Sequence, residues 1–242
     1  DKVPVIAALN KPKEVYSNVF QTIPEDKLLQ KAMIEFVKKD SLKSKVIIIA
    51  DQSHRAISDQ LKKEFPGATQ FFSERNKKTG KDDFFLYPVR LENAFSKGKT
   101  IVFLETNNDT FVSSVASMVN GYINKDVEIV LVTCNKNKAF EGKDIDNNYL
   151  SNLKFHYPSI HRSYDETKNS SFVRAYKRAY GVSPSKYVAR GFDIALDILL
   201  RLASEENLYE PSADIIETEY IENKFRYNKS LFGGYMNEAV YI

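Results

Sequence analysis

Three short apolar runs constrain this chain more than anything else in it. Residues 46–50 read V-I-I-I-A, 101–104 read I-V-F-L, and 127–133 read V-E-I-V-L-V-T. They are too short for buried helices and lack the alternation of a half-exposed strand. Continuous apolar strands of this kind are buried on both faces, as in parallel sheets covered by helices. Helical patterns separate them. Ile57, Leu61 and Phe65 share a face before Pro66-Gly67, and Phe111, Val112, Val115, Met118, Val119 and Tyr122 recur at helical spacing after the second run. Parallel strands need such crossovers, so the predicted fold class is α/β with a parallel sheet. Residues 69–72 form a weaker strand and 76–83 a polar loop. Residues 84–97 include a predicted helix starting near Pro88, with Leu91 and Phe95 buried and Gly98 ending it.

On either side the pattern is less regular. Residues 3–7 read as a short buried strand, broken by the Asn10-Lys11-Pro12 turn, and 19–22 are extended again. Pro24, Glu25 and Asp26 open a helix carrying Leu28, Leu29, Ala32, Met33, Phe36 and Val37. Residues 136–148 are a loop or short helix, and 153–157 a strand. Residues 219–226 and 236–242 fit a terminal β-hairpin around Gly233-Gly234. Residues 172–203 are two helices separated by Gly181, suited to a left-handed helix stop, and by Ser183-Pro184, suited to a restart. On the second helix Val188, Phe192, Ala195, Leu196, Leu199 and Leu202 fall on one face, which is the expected core face.

Chemistry-bearing motifs are scarce. There is no phosphate loop, dinucleotide fingerprint, zinc-protease helix or nucleophile elbow. Lysine and arginine total 35 against 32 acids, a net charge of +3, which gives no electrostatic footprint for nucleic acid. The single cysteine, Cys134, excludes an internal disulfide and ends an apolar strand, where a thiol behaves as a small hydrophobe. His54, His156 and His161 have no metal-site spacing; each is read as a surface or hydrogen-bonded residue, and neither metal nor cofactor is expected. No apolar run is long enough to span a bilayer. In open parallel sheets ligands bind beyond the carboxyl ends of the strands. The candidate ligand-binding residues there are Asn10, Gln52, Ser53, His54, Glu105, Thr106, Asn107 and Asn135. Their amides and hydroxyls suit neutral polar groups, and the same residue types are common in turns.

The order F-x3-Y-x3-YG-x2-P-x2-Y-x-A-x-GFD over residues 172–193 resembles the late helical pair of the type I periplasmic solute-binding proteins, the leucine/isoleucine/valine-receptor group. The passage from VPVIAA through VFQTIPED is similar to that family's crossing from lobe one into lobe two. The resemblance implies parallel-sheet three-layer lobes, with residues 1–24 and 165–218 forming part of lobe one and residues 25–164 and 219–242 forming lobe two. The polar stretch around 163–170 would be the second hinge passage. It implies a non-enzymatic protein of the periplasm or cell envelope whose lobes close on a small polar molecule, read by a transporter or sensor. The alternative is a ligand-free regulatory module binding an envelope partner, as in members with peptidoglycan-binding LysM repeats upstream. Because the family's first lobe starts with several strand–helix units, lobe one is expected to be incomplete, with a segment missing ahead of Asp1. In the leucine-type receptors an aromatic residue and an acid hold the amino acid. The corresponding places here are His54 and Cys134-Asn135, so free α-amino acids are not expected to bind in that manner unless Glu105 takes over the ammonium.

Overall fold

The computed structural model describes residues 3–14, 16–162, 170–214, 217–231 and 233–242. The chain divides into two compact units, residues 1–28 with 159–241 and residues 29–158 with 242. The stretch 163–169, part of the expected second hinge passage, lies outside the described residues.

The second unit is built on the three apolar runs. They form β3 (Lys45–Ala50), β5 (Gly98–Glu105) and β6 (Val127–Val132), joined at one edge by β4 (Thr69–Phe72) in the order β4-β3-β5-β6, all parallel. Successive side chains of a strand point to opposite faces, and the register aligns like with like. Ile47 sits opposite Val102, which sits opposite Leu131, and all three enter one core with α3 (Asp109–Asn120). Their neighbours Ile48, Phe103 and Val132 enter the other core with Met33, Ile34 and Val37 of α1 (Asp26–Ser41) and Leu61 of α2 (Arg55–Glu64). Helices therefore cover both faces, and the fold class is α/β with a parallel sheet, as the continuous apolar runs require.

Two local expectations are corrected here, those for residues 84–97 and 153–157. Residues 84–97 hold only a single 3-10 turn, Pro88–Leu91, although Leu91 is buried, and Gly98 starts β5 at φ 109° instead of stopping a helix. Residues 153–157 form no strand; His156 makes one parallel bridge to Val132. The loop at 136–148 contains a 3-10 turn, Lys138–Glu141, and the start of α4 (Asn147–Asn152).

The first unit has a four-stranded sheet in the order β1-β2-β10-β9. β1 (Val5–Ala7), β2 (Val19–Gln21) and β10 (Tyr235–Asn237) run parallel, and β9 (Tyr227–Lys229) pairs antiparallel with β10. Residues 219–241, expected in lobe two, thus belong to this unit, because β10 takes the open edge of β2. The extended residues 19–22 form β2 beside β1 in this unit. The terminal hairpin exists with shifted bounds, turning between Ser230 and Gly234, and β1 is only partly buried. A second small hairpin joins β7 (Thr218–Glu219) to β8 (Lys224–Phe225). The core is aromatic: Phe20 stacks on Tyr235 at 4.4 Å and meets the edge of Tyr227.

The helical pair forms α5 (Ser171–Tyr180) and α6 (Lys186–Ser204), with Gly181 between them at φ 73° as its role demands. The restart differs from the expectation: Ser185 is the N-cap, so Pro184 lies before the helix. The larger correction concerns which face of α6 is inward. Ala189, Arg190, Asp193, Ile194, Asp197 and Arg201 are buried, whereas Phe192, Leu199 and Leu202 are exposed. The buried stripe has the same helical spacing, and its charges answer polar groups of the unit. Asp193 accepts the backbone N–H groups of Ile221, Glu222 and Asn223. Asp197 pairs with Arg201 at 2.9 Å and also accepts from the hydroxyls of Thr218 and Tyr220. Buried charges persist where they are paired and hydrogen-bonded in this way. A short helix, α7 (Tyr209–Asp214), follows.

Candidate functional site

In the second unit the chain lays down β3, moves outward to β4, then returns to the other side of β3 for β5 and β6. The order reverses between β3 and β5. In open α/β sheets the loops leaving two such strands at their carboxyl ends diverge, and the crevice between them is the place where ligands bind. β3 runs into Asp51 and the 3-10 turn Gln52–His54, and β5 runs into Thr106-Asn107.

Asp51 ties the crevice together. It is 1% exposed, and its Oδ1 accepts the N–H groups of Ser53 and His54, the Ser53 hydroxyl at 2.6 Å and His54 Nδ1 at 2.7 Å. Its Oδ2 accepts the Thr106 hydroxyl at 2.6 Å, which links the ends of β3 and β5. Burial pushes the Asp51 carboxyl up, but the hydrogen bonds from His54, Ser53 and Thr106, with the imidazolium charge, outweigh burial and hold it well below the usual range. The bond to Asp51 raises the His54 imidazole against burial and favours its charged form. The Asp51–His54 pair is thus a compensated charge, and the site does not demand a charged ligand.

This trio is not a nucleophile–base–acid relay. Ser53 and Asp51 both face Nδ1 of His54, and the Ser53 hydroxyl donates to Asp51. A nucleophilic serine has to be bonded to the ring nitrogen opposite the one held by the acid. The geometry is that of an aspartate capping a short turn.

Glu105, 3% exposed, accepts the Cys134 N–H at 2.7 Å and fastens the end of β5 to the end of β6. Burial lifts it to about 7, against the pull of that N–H. Burial and the adjacent Glu105 push the Cys134 thiol far up, so it is held as a thiol. Asn137, absent from the sequence-derived set, donates to the Thr106 carbonyl and to Asn107 Oδ1, joining the loops after β5 and β6.

Of the sequence-derived residues, Gln52, Ser53, His54, Glu105, Thr106, Asn107 and Asn135 lie at the carboxyl ends of this one sheet. Ser53, Asn107 and Asn135 are exposed, Gln52 and His54 half-buried, and Glu105 and Thr106 buried. Gln52 accepts from Arg55 and Arg75 and donates to the Ser73 carbonyl. Asn10 belongs to the first unit, where it follows β1 and is exposed. Asp51 lies just past the apolar run that ends at Ala50 and is absent from the sequence-derived set, although an Asp ahead of a helical turn is a favoured N-cap. Among the described residues no three His, Cys, Asp or Glu side chains gather to hold a metal ion, and no helix is long and apolar enough to cross a membrane.

No family model matches the chain. No curated protein matches it either. Among solved structures, the chain is similar to the branched-chain amino acid transporter substrate-binding protein LivJ of Streptococcus pneumoniae in complex with isoleucine. The TM-score is 0.43 at 12% identity, covering 93% of this chain and 66% of that one.

Proposed function

We propose that this protein is a non-enzymatic solute-binding domain of the type I periplasmic kind, working in the bacterial cell envelope and presenting its ligand to a transporter or sensor. One observation carries the binding part of the reading. Ser53, His54 and Asn107 follow the two strands between which the order reverses, with Asn135 after the neighbouring β6, and the Asp51–Thr106 bond fixes the ends of those two strands. The residue order of the helical pair supports the family and the envelope setting. The ligand is a small polar molecule with neutral donors and acceptors, because both carboxylates of the crevice already have partners: Asp51 holds its own turn and Glu105 holds Cys134. An amino acid's ammonium would find no free counter-charge there, so free α-amino acids bind weakly. Thermal-shift screening against neutral polar metabolites, followed by calorimetry of any hit on wild type and Asn107→Leu, tests this. A hit weakened at least tenfold by Asn107→Leu supports the proposal; tight binding of a free amino acid, unchanged in that variant, contradicts it.

A second reading rests on a separate observation, the exposed stripe of Phe192, Leu199 and Leu202 on α6. Exposed apolar patches mark interaction surfaces. On this reading the protein is an envelope interaction module with the same fold, and no metabolite alters its thermal transition.

A further inference from the structure

The first unit carries an open pocket of about 210 Å³, lined entirely by its own residues. Leu9 and Ile23, beyond the carboxyl ends of β1 and β2, line it with Ile160 and Tyr187 as apolar surface, and Lys186, Arg190 and Glu222 supply charge beside His161. Glu222 is 3% exposed, and its Oε2 is buried without a hydrogen-bond partner. A buried acceptor left unpaired is costly, so this atom calls for a donor. One strong donor of the wall is already engaged: the Arg190 guanidinium donates to the Ala8 carbonyl, the Thr22 hydroxyl and Asn223 Oδ1. Asp193 likewise takes the N–H groups of residues 221–223. Lys186 carries its ammonium over the Tyr187 ring at 5.3 Å from the centroid.

We infer that this pocket is a binding site for a small primary amine, with Glu222 as the acceptor for its ammonium and the Leu9–Ile23–Ile160–Tyr187 surface covering its hydrocarbon body. The chemistry follows from what is present. Among the described residues, the only buried side-chain atom of this wall lacking a partner is a carboxylate oxygen, which accepts and does not donate when ionised. Burial, with the negative charge of Asp193, raises the Glu222 carboxyl, while Arg190 and Lys186 pull it down. An incoming ammonium relieves the first two effects. The volume lies under the roughly 300–1,000 Å³ of drug-sized pockets, so the occupant is compact. None of these residues belongs to the second unit, so the inference stands or falls apart from the reading at β3 and β5.

The test titrates cyclohexylamine, cyclohexanol and cyclohexanecarboxylate into the ¹⁵N-labelled protein and follows amide shifts. The expected result is saturable binding of the amine in the millimolar range with shifts at residues 221–223 and around Leu9, weaker binding of the alcohol, and none of the carboxylate. Glu222→Gln is expected to weaken the amine at least tenfold and spare the alcohol. Ile160→Phe, which fills the pocket and leaves the carboxylate in place, is expected to abolish both; this second variant keeps the test decisive should Glu222→Gln fail to fold. Equal binding of amine and carboxylate, or amine binding unchanged in Glu222→Gln, overturns the inference. So does amine binding that appears only in Lys186→Ala, since Lys186 would then be the resident partner of Glu222.

Discussion

Replacing Glu105 with glutamine is expected to flatten the dependence of stability on pH. Burial raises this carboxyl from its ordinary 4.5 to about 7 in the folded protein. Below pH 4.5 the group is protonated in both states and contributes nothing to the pH dependence. As the pH rises from 4.5 to about 7, the unfolded chain releases the proton while the folded protein keeps it, so stability falls across that window. At about 1.4 kcal/mol per pH unit, the full loss is about 3 kcal/mol. Glutamine keeps a carbonyl acceptor for the Cys134 N–H and carries no charge to desolvate. Urea unfolding followed by far-UV circular dichroism, suited to a chain with no tryptophan, is to be run from pH 4.5 to 8.5. Wild type and variant should be similar near pH 4.5, and the variant should be the more stable by up to about 3 kcal/mol at pH 8. His54 adds a slope of the same sign: its raised folded value gives stability that is full below its ordinary 6.5 and lost as the pH passes the folded value, and the part owed to Asp51 remains in the variant while the smaller part owed to the Glu105 charge goes with it. Parallel wild-type and variant profiles, or a variant less stable at pH 8, would refute the reasoning.

Two further outcomes follow from the first unit. Asp197→Ala leaves the Arg201 guanidinium, 1% exposed, without its carboxylate, and is expected to cost about 3–5 kcal/mol, whereas Leu199→Ser on the exposed stripe of α6 should change stability by no more than about 0.5 kcal/mol. Urea titrations of both variants check the facing of the helix, and the reverse ranking would show that the apolar stripe is inward. Gly234→Ala is expected to destabilise by about 1–3 kcal/mol, because an added Cβ would collide with the Val19 carbonyl oxygen and lie 2.5 Å from that of Tyr16; an unchanged thermal midpoint would contradict this.

The parts of the fold that were legible are those where one physical demand acts alone. A strand buried on both faces has to be apolar throughout, so β3, β5 and β6 are plain from composition, and the sheet direction follows from the helices between them. Gly181 was readable because a left-handed helix stop selects glycine. α6 was misread for a definite reason. Its apolar and charged stripes have the same period, and rank by hydropathy chose the apolar one. The facing depends on acceptors and donors brought from afar, namely the N–H groups of residues 221–223 and the hydroxyls of Thr218 and Tyr220. Residues 219–241 are hard to place for a similar reason, since nothing local reveals that β10 completes an edge formed by β2. At the crevice, the strand ends located the loops, but residue type could not tell a lining group from a fastening one. Thr106 and Glu105 are fastenings, while Ser53, Asn107 and Asn135 present exposed surface.

The central claim is that a neutral polar solute binds where the strand order reverses in the second unit. Its most direct test is a ¹⁵N-labelled spectrum of the protein recorded against pooled sugars, polyols, amides and amino acids, with each active pool resolved to a single compound and titrated. The account predicts saturable shifts of the Ser53, His54, Asn107 and Asn135 amides with a neutral compound. A full set of pools that moves none of these four amides, or a bound compound whose shifts fall elsewhere, would contradict it.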